Sequence, residues 1–162
     1  MHEVGHDTFE IRVLGAADLD CMDAMRRMFG HVFEDPAAYE GAPPEAAYTR
    51  QLLVDRHFIA IAALRGERVV GGLAAYELRK FEQARSELYL YDLAVVEAER
   101  RRGIATALIA ALRRIAHDRG AWMVFVQADH GDAPAIALYE KLGTREDVLH
   151  FDLTPLPPEP RR

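Results

Sequence analysis

The stretch Leu88-Tyr-Leu-Tyr-Asp92-Leu-Ala-Val-Val96-Glu-Ala-Glu-Arg100-Arg-Arg-Gly103-Ile-Ala-Thr106 decides the fold. Its first nine residues are apolar or aromatic except for Asp92, the pattern of a strand covered on both faces in the middle of a sheet. A charged loop with a glycine follows. Ile104, Leu108, Leu112 and Ile115 then recur at helical spacing until Gly120, with Arg113, Arg114 and Arg119 in the last turns.

Working outward, strand and helix alternate downstream. Trp122–Ala128 predicts a strand, Ala133–Leu142 a short helix ended by Gly143, and Val148–Leu153 a final strand. Thr154–Arg162 holds four prolines in nine residues and reads as an extended tail. Upstream, Thr8–Val13 alternates as a short strand, and Asp18 opens a helix to about Phe33. Glu34–Pro44 reads as a break, and Glu45–Val54 as a second helix. Phe58–Leu64 and Val69–Glu77 are apolar runs joined by Arg65-Gly-Glu-Arg68, an antiparallel hairpin. The expectation is one mixed-sheet α/β domain over residues 1–153, followed by the tail 154–162.

The chain has 162 residues, 50% hydrophobic and 28% charged, the profile of one soluble globular domain that buries about 70% of its unfolded surface. No run approaches the roughly 18 apolar residues of a membrane span. The N-terminus lacks the basic head and apolar run of a secretory signal, so the cytoplasm is the expected compartment. Cys21 is the single cysteine, which excludes an intrachain disulfide and fits a reducing compartment. It lies among Leu19, Met22, Met25 and Met28 and reads as a packed thiol. A formal charge of −6 argues against a binder of nucleic-acid phosphates and suits a positively charged partner.

The most conspicuous motif is a decoy. His2-Glu-Val-Gly-His6 matches H-E-x-x-H, but that chemistry needs a helix presenting both histidines and a third ligand. Gly5 sits inside the string and no helical pattern surrounds it, so no metal is expected.

Asp92 is different. Strict alternation puts it on one face with Leu88, Leu90 and Ala94, where an unpaired carboxylate is costly. It needs donors, a substrate cation, or a local bulge that turns it into a cleft. A purely structural carboxylate is the competing possibility. After it, Gly103 and Ala105 allow close backbone approach at a helix N-terminus, where free N–H groups favour an anion. Arg100, Arg101 and Arg102 add donors for phosphate oxygens, though three arginines alone also describe a solvated charge run. Neither a G-K-[ST] ending nor a G-x-G-x-x-G spacing is present. Tyr139, in the helix after Asp132, is either a core residue with a satisfied hydroxyl or a proton donor at a cleft.

In this order, the segments resemble the GNAT superfamily of N-acetyltransferases. Arg100-x-x-Gly103-x-Ala105 is similar to that family's acyl-coenzyme A loop, and Leu138-Tyr-Glu-Lys-Leu-Gly143 to its later helix. Asp132 stands where the family often has asparagine, and Thr144 where an aromatic usually follows the glycine. The match is densest to the type I aminoglycoside 3-N-acetyltransferases, the gentamicin-modifying enzymes. It is carried by Lys80-Phe-Glu-Gln-Ala-Arg-Ser-Glu87, Tyr91–Val95, Arg102–Ile109, Val126-Gln-Ala-Asp129, Ala137-Leu-Tyr139 and His150-Phe-Asp152, with His130 where that family has an aromatic.

The resemblance implies a mostly antiparallel central sheet and direct transfer of acetyl from acetyl-coenzyme A to an amine. The pantetheine arm would pair beside Leu93, Ala94 and Val95. The pyrophosphate would meet Arg100, Arg101, Arg102, Gly103, Ile104, Ala105 and Thr106, with Asp132 near the coenzyme. Asp92 would be the base and Tyr139 the acid that protonates the leaving thiolate. An aminoglycoside carries several ammonium groups, which Glu34, Asp35, Glu82, Glu87, Asp92, Asp129 and Asp152 would meet. A homodimer is the family-level expectation. Two alternatives remain: an acetyltransferase for a polyamine, another small amine or a protein N-terminus, and a non-catalytic acyl-coenzyme A-binding domain.

Overall fold

Small residues build the sheet. Ile59 and Ile61 alternate with Ala60, Ala62 and Ala63 in β2 (Phe58–Arg65), and seven of its eight residues are buried. Alanines on a strand let helices approach closely from both sides. The computed structural model describes residues 8–158. Its sheet has the order β1 (Glu10–Val13), β2, β3 (Arg68–Arg79), β4 (Ser86–Val95), β5 (Met123–Val126). The first four strands pair antiparallel, and β5 joins β4 in parallel. A mixed, mostly antiparallel α/β sheet is thus as expected.

Three helices, α1 (Leu19–Val32), α2 (Pro36–Glu40) and α3 (Ala46–Val54), follow β1, and α4 (Ile104–Asp118) connects β4 to β5. Met25, Met28 and Phe29 of α1 pack with Leu53, Phe58, Ala60, Ala62, Ala74 and Ala94 into one core. Ile104, Leu108 and Leu112 of α4 are fully buried and belong to the helix that packs on β2, β3 and β4. Truncating either leucine to alanine would cost about 2–5 kcal/mol.

One irregularity in β4 sets up the site. Ala75 faces Leu90 and Ala74 faces Asp92, so Tyr91 is an extra residue in the ladder. A one-residue bulge exchanges the two faces of a strand. Leu88 and Leu90 stay in the core, whereas Asp92 moves to the side of Ala74 and Ala94, beneath α1 and α2. The face-sharing of Asp92 with Leu88 and Leu90 predicted by strict alternation is therefore corrected by the bulge. Pairing of β4 with β5 runs from Glu87↔Met123 to Leu90↔Val126 and stops there. The backbone from Tyr91 to Val95 has no β5 partner.

Two elements differ from expectation. The segment read as a break contains α2, capped by Asp35, whose carboxylate accepts from the Ala38 N–H at 3.0 Å, with Pro36 in the first turn. The strand expected at Val148–Leu153 does not form: residues 144–158 carry no regular structure, and Leu149, Phe151 and Leu153 are exposed. Alternation supplies an apolar face, but a strand also needs a neighbour's N–H and C=O groups, and none pairs with it among the described residues. Tail residues 154–158 are likewise irregular, and the His2–His6 string and residues 159–162 lie outside the described residues.

The described residues divide into two compact units, the first ending at Gln127 and the second beginning at Ala128. The first contains the sheet and α1–α4. The second contains α5 (Ala133–Leu142).

Candidate active site

Within the first unit, Asp92 sits half-buried among tyrosines. The Tyr39 hydroxyl, on α2, donates to Asp92 Oδ1 at 3.3 Å. Burial pushes the Asp92 carboxyl above its ordinary range, partly offset by this hydrogen bond. Burial, then the Asp92 charge, pushes the Tyr39 hydroxyl up to about 12. The bulge residue Tyr91 meets Tyr76 edge-on at 5.8 Å and Tyr89 at 5.3 Å between ring centroids. Phe58 extends this aromatic row on one side, and Phe125, stacked on Tyr89 at 4.6 Å, on the other. Tyr89 also bonds Gln127 Oε1 at 2.8 Å. A half-buried carboxylate whose charge is felt by Tyr39, Tyr76 and Tyr89 is suited to a cation, which gains Coulomb attraction there and cation–π attraction from any ring face it meets.

Sequence pattern alone does not single out Tyr39, because Glu34–Pro44 reads as a break whereas Pro36–Glu40 is helical. The signal was there: Asp35-Pro36 is a helix start, with a capping carboxylate followed by proline in the first turn.

The loop between β4 and α4 is held from below. After a 3₁₀ turn at Glu97–Glu99, the buried Glu99 carboxylate accepts two hydrogen bonds from Arg65, at 2.8 and 3.1 Å, and one from Arg68 at 2.9 Å. Arg102 Nε lies 3.9 Å from the same group. Arg100 Nε donates to the Val95 carbonyl at 3.2 Å, so one backbone group expected to clasp the pantetheine already has a partner. Arg101 takes φ 61° and Gly103 φ 80°, both left-handed. No side chain caps α4, and the Ala107 N–H is the group that bonds the Gly103 carbonyl. The N–H groups of Ile104, Ala105 and Thr106 thus have no acceptor within the helix, and the dipole makes this end positive. Arg101, Arg102 and Thr106 are exposed beside it. This end can hold an anion such as a phosphate.

In the second unit, Asp132 caps α5 by accepting from the Ala135 N–H at 3.1 Å. Tyr139 is half-buried, and burial, then the charge of Asp132, pushes its hydroxyl up to about 12. It keeps its proton throughout the neutral range, as a proton donor must.

The remaining expected carboxylates are exposed or half-buried and mostly engaged. Glu82 pairs with Arg85 at 3.2 Å, Glu87 lies 3.5 Å from Lys80, and Asp152 meets His150 at 3.0 Å. Asp35 is occupied as the α2 cap, Glu34 takes φ 55° at the surface, and Asp129 is exposed. Among the described residues no group of three His, Cys, Asp or Glu side chains is arranged to hold a metal.

Known proteins fit this geometry. An aminoglycoside acetyltransferase from an uncultured soil metagenomic sample superposes with a TM-score of 0.89 at 52% identity, covering 91% of this chain and 98% of that one. A second soil metagenomic aminoglycoside acetyltransferase, in complex with sisomicin, is 32% identical with a TM-score of 0.83, covering 90% and 95%. N-acetyltransferase 8B of Rattus norvegicus is 31% identical over 106 residues, which is 65% of this chain and 48% of that protein. The chain thus spans about half the length of that curated relative. Residues 20–144 match the Acetyltransferase (GNAT) family, and the chain belongs to it.

Proposed function

We propose that the protein transfers acetyl directly from acetyl-coenzyme A to an amine of an aminoglycoside, at the 3-amino position. The observation that carries this reading is the bulge at Tyr91. It turns a desolvated carboxylate to the side of Ala74 and Ala94, within hydrogen-bond reach of Tyr39, on the stretch where β4 loses its β5 partner. The 52% identity to an aminoglycoside acetyltransferase over nearly its whole length supports the acceptor class, as does the sisomicin-bound relative. The 3-amino position rests on the sequence resemblance.

Acetyl-coenzyme A supplies an activated thioester. The uncapped N-terminus of α4, with Arg101 and Arg102 exposed beside it, suits the pyrophosphate. The backbone at Leu93 and Ala94 suits the pantetheine amides, in the manner of an added strand, and Val95 joins it once Arg100 releases the Val95 carbonyl. Asp92 takes the proton from the substrate ammonium, freeing the lone pair that attacks. A backbone N–H near Leu93 or Ala94 holds the developing oxyanion. Tyr139 returns a proton to the leaving thiolate. Direct transfer is also consistent with Cys21, because burial pushes its thiol up and leaves it a poor nucleophile. The homodimer belongs to the same reading and rests on the family resemblance.

The test is thiol release from acetyl-coenzyme A with gentamicin, kanamycin, spermidine and a peptide amine, with the acetylated nitrogen located by NMR. Turnover confined to spermidine or the peptide would replace the acceptor. Coenzyme binding without turnover on any amine would favour a non-catalytic domain.

A further inference from the structure

Tyr39 is fixed from three directions. Its ring lies against Phe29 at 6.1 Å and Phe33 at 5.8 Å between centroids. The Arg26 guanidinium donates to its backbone carbonyl. Its hydroxyl ends on Asp92 Oδ1. Gly30 makes the approach of α2 to α1 possible, since a Cβ there would sit 3.0 Å from Tyr39 Cβ. Two helices are thereby locked together so that a single phenol reaches a single carboxylate 53 residues away in the chain.

We propose that Tyr39 is the positioning residue for Asp92, binding Oδ1 so that Oδ2 is presented to the substrate ammonium. This inference rests on the reading of Asp92 as the proton acceptor. In the proton transfer, one ammonium proton moves to Asp92, the amine nitrogen keeps the electron pair, and Tyr39 keeps its own proton as donor. The 3.3 Å separation exceeds the roughly 2.7–2.8 Å of a typical O–H···O bond, and such contacts tighten when substrate arrives. Because Tyr39 donates to the charged form, it also opposes the desolvation that favours the neutral acid. The other groups that act on this pair are Asp35 beside Tyr39, Tyr76 on β3, and Tyr89 and Tyr91 on β4. Burial holds the Tyr39, Tyr76 and Tyr89 hydroxyls above the ordinary phenol value, so these three stay neutral, and Tyr39 is the one that donates to Asp92 and partly offsets its desolvation.

Tyr39→Phe tests this, because the ring keeps its contacts with Phe29 and Phe33 while the hydroxyl is lost. The expected result is a melting temperature close to wild type and an unchanged KM for acetyl-coenzyme A. The acid limb of kcat/KM should move to higher pH, with kcat/KM on that limb falling roughly tenfold to a hundredfold, the scale of a charge-assisted hydrogen bond. In the unliganded protein, the Asp92 carboxyl followed by ¹³C NMR should titrate at higher pH in Tyr39→Phe. Adding Tyr39→Phe to Asp92→Asn should cost little further activity, since the two act through one group. An acid limb and an Asp92 titration that coincide with wild type would overturn the proposal even in an active enzyme. So would full additivity in the double variant. If the wild type acetylates no aminoglycoside, the function reading fails, and the carboxyl titration still decides the role of Tyr39.

Discussion

Arg65 grips Glu99 with two parallel hydrogen bonds, at 2.8 and 3.1 Å, and so ties the β2–β3 hairpin to the turn that leads into α4. This Arg65 hydrogen bond, with the nearby arginine charges, holds the Glu99 carboxyl below its ordinary value of 4.5. Glu77 is also held low: burial works against its ionisation, but the Ser86 hydroxyl and Arg119 outweigh it. A depressed folded value means the folded state binds these protons less readily than the unfolded chain. Their stabilisation is therefore present above about pH 4.5 and lost as pH falls below it. Glu99→Gln should lower the melting temperature at pH 7 by roughly 5 °C, and the gap from wild type should shrink as the pH approaches 3. Calorimetric melts across that range check this; equal melting temperatures at pH 7 would remove Glu99 as an anchor of the loop.

Gly103 should matter for the coenzyme rather than the acceptor. Its φ of 80° is one that side-chained residues adopt at a cost of about 1–2 kcal/mol, and a Cβ there would meet nothing within 4 Å. The penalty is therefore conformational and falls on the N–H groups that open α4. Gly103→Val should raise the apparent KM for acetyl-coenzyme A about tenfold or more. If the KM for the aminoglycoside rises instead, the loop has been assigned to the wrong ligand.

The fold was legible wherever local pattern and local structure agree. The apolar runs of β2, β3 and β4 and the helical spacing of Ile104, Leu108 and Leu112 are all realised. Asp92 could be singled out as a lone carboxylate in an apolar strand, but its face could not be read, because the register shift at Tyr91 is visible only against β3. Tyr39 was hidden for a related reason. It lies on a five-residue helix with no apolar period, and it gains meaning only from a contact 53 residues away. At Val148–Leu153 the error ran the other way, since alternation promised a strand that has no pairing partner among the described residues.

The acceptor should feel the aromatic wall as well as the charge. Tyr91 is 60% exposed beside Asp92, so Tyr91→Ala removes a face available to a sugar ring and its ammonium without emptying the core. Loss of one such cation–π and stacking face should raise the aminoglycoside KM by roughly threefold to thirtyfold, leaving the coenzyme KM unchanged. Binding of the polycation should also weaken with added salt, because exposed pairs are screened over about 8 Å at physiological ionic strength. Calorimetric titration with gentamicin at two salt concentrations checks both, and salt-independent binding would point to an apolar or single-amine acceptor.

The mechanism turns on Asp92. If it accepts the ammonium proton, Asp92→Asn keeps the shape of the site but removes the base, and kcat/KM should fall roughly 10²–10⁴-fold. Stability gives an independent sign. Burial raises the folded carboxyl above its ordinary value of 3.8, with Tyr39 only partly offsetting it, so the charged form destabilises the folded state at neutral pH. Removing that charge should leave the melting temperature unchanged or higher at pH 7. A structural carboxylate predicts the reverse, a protein that melts earlier while its folded fraction turns over normally. Melting temperature and kcat/KM measured on one preparation separate the two cases. A stable Asp92→Asn protein with wild-type turnover would eliminate Asp92 as the base and move the search to a water chain or to another carboxylate.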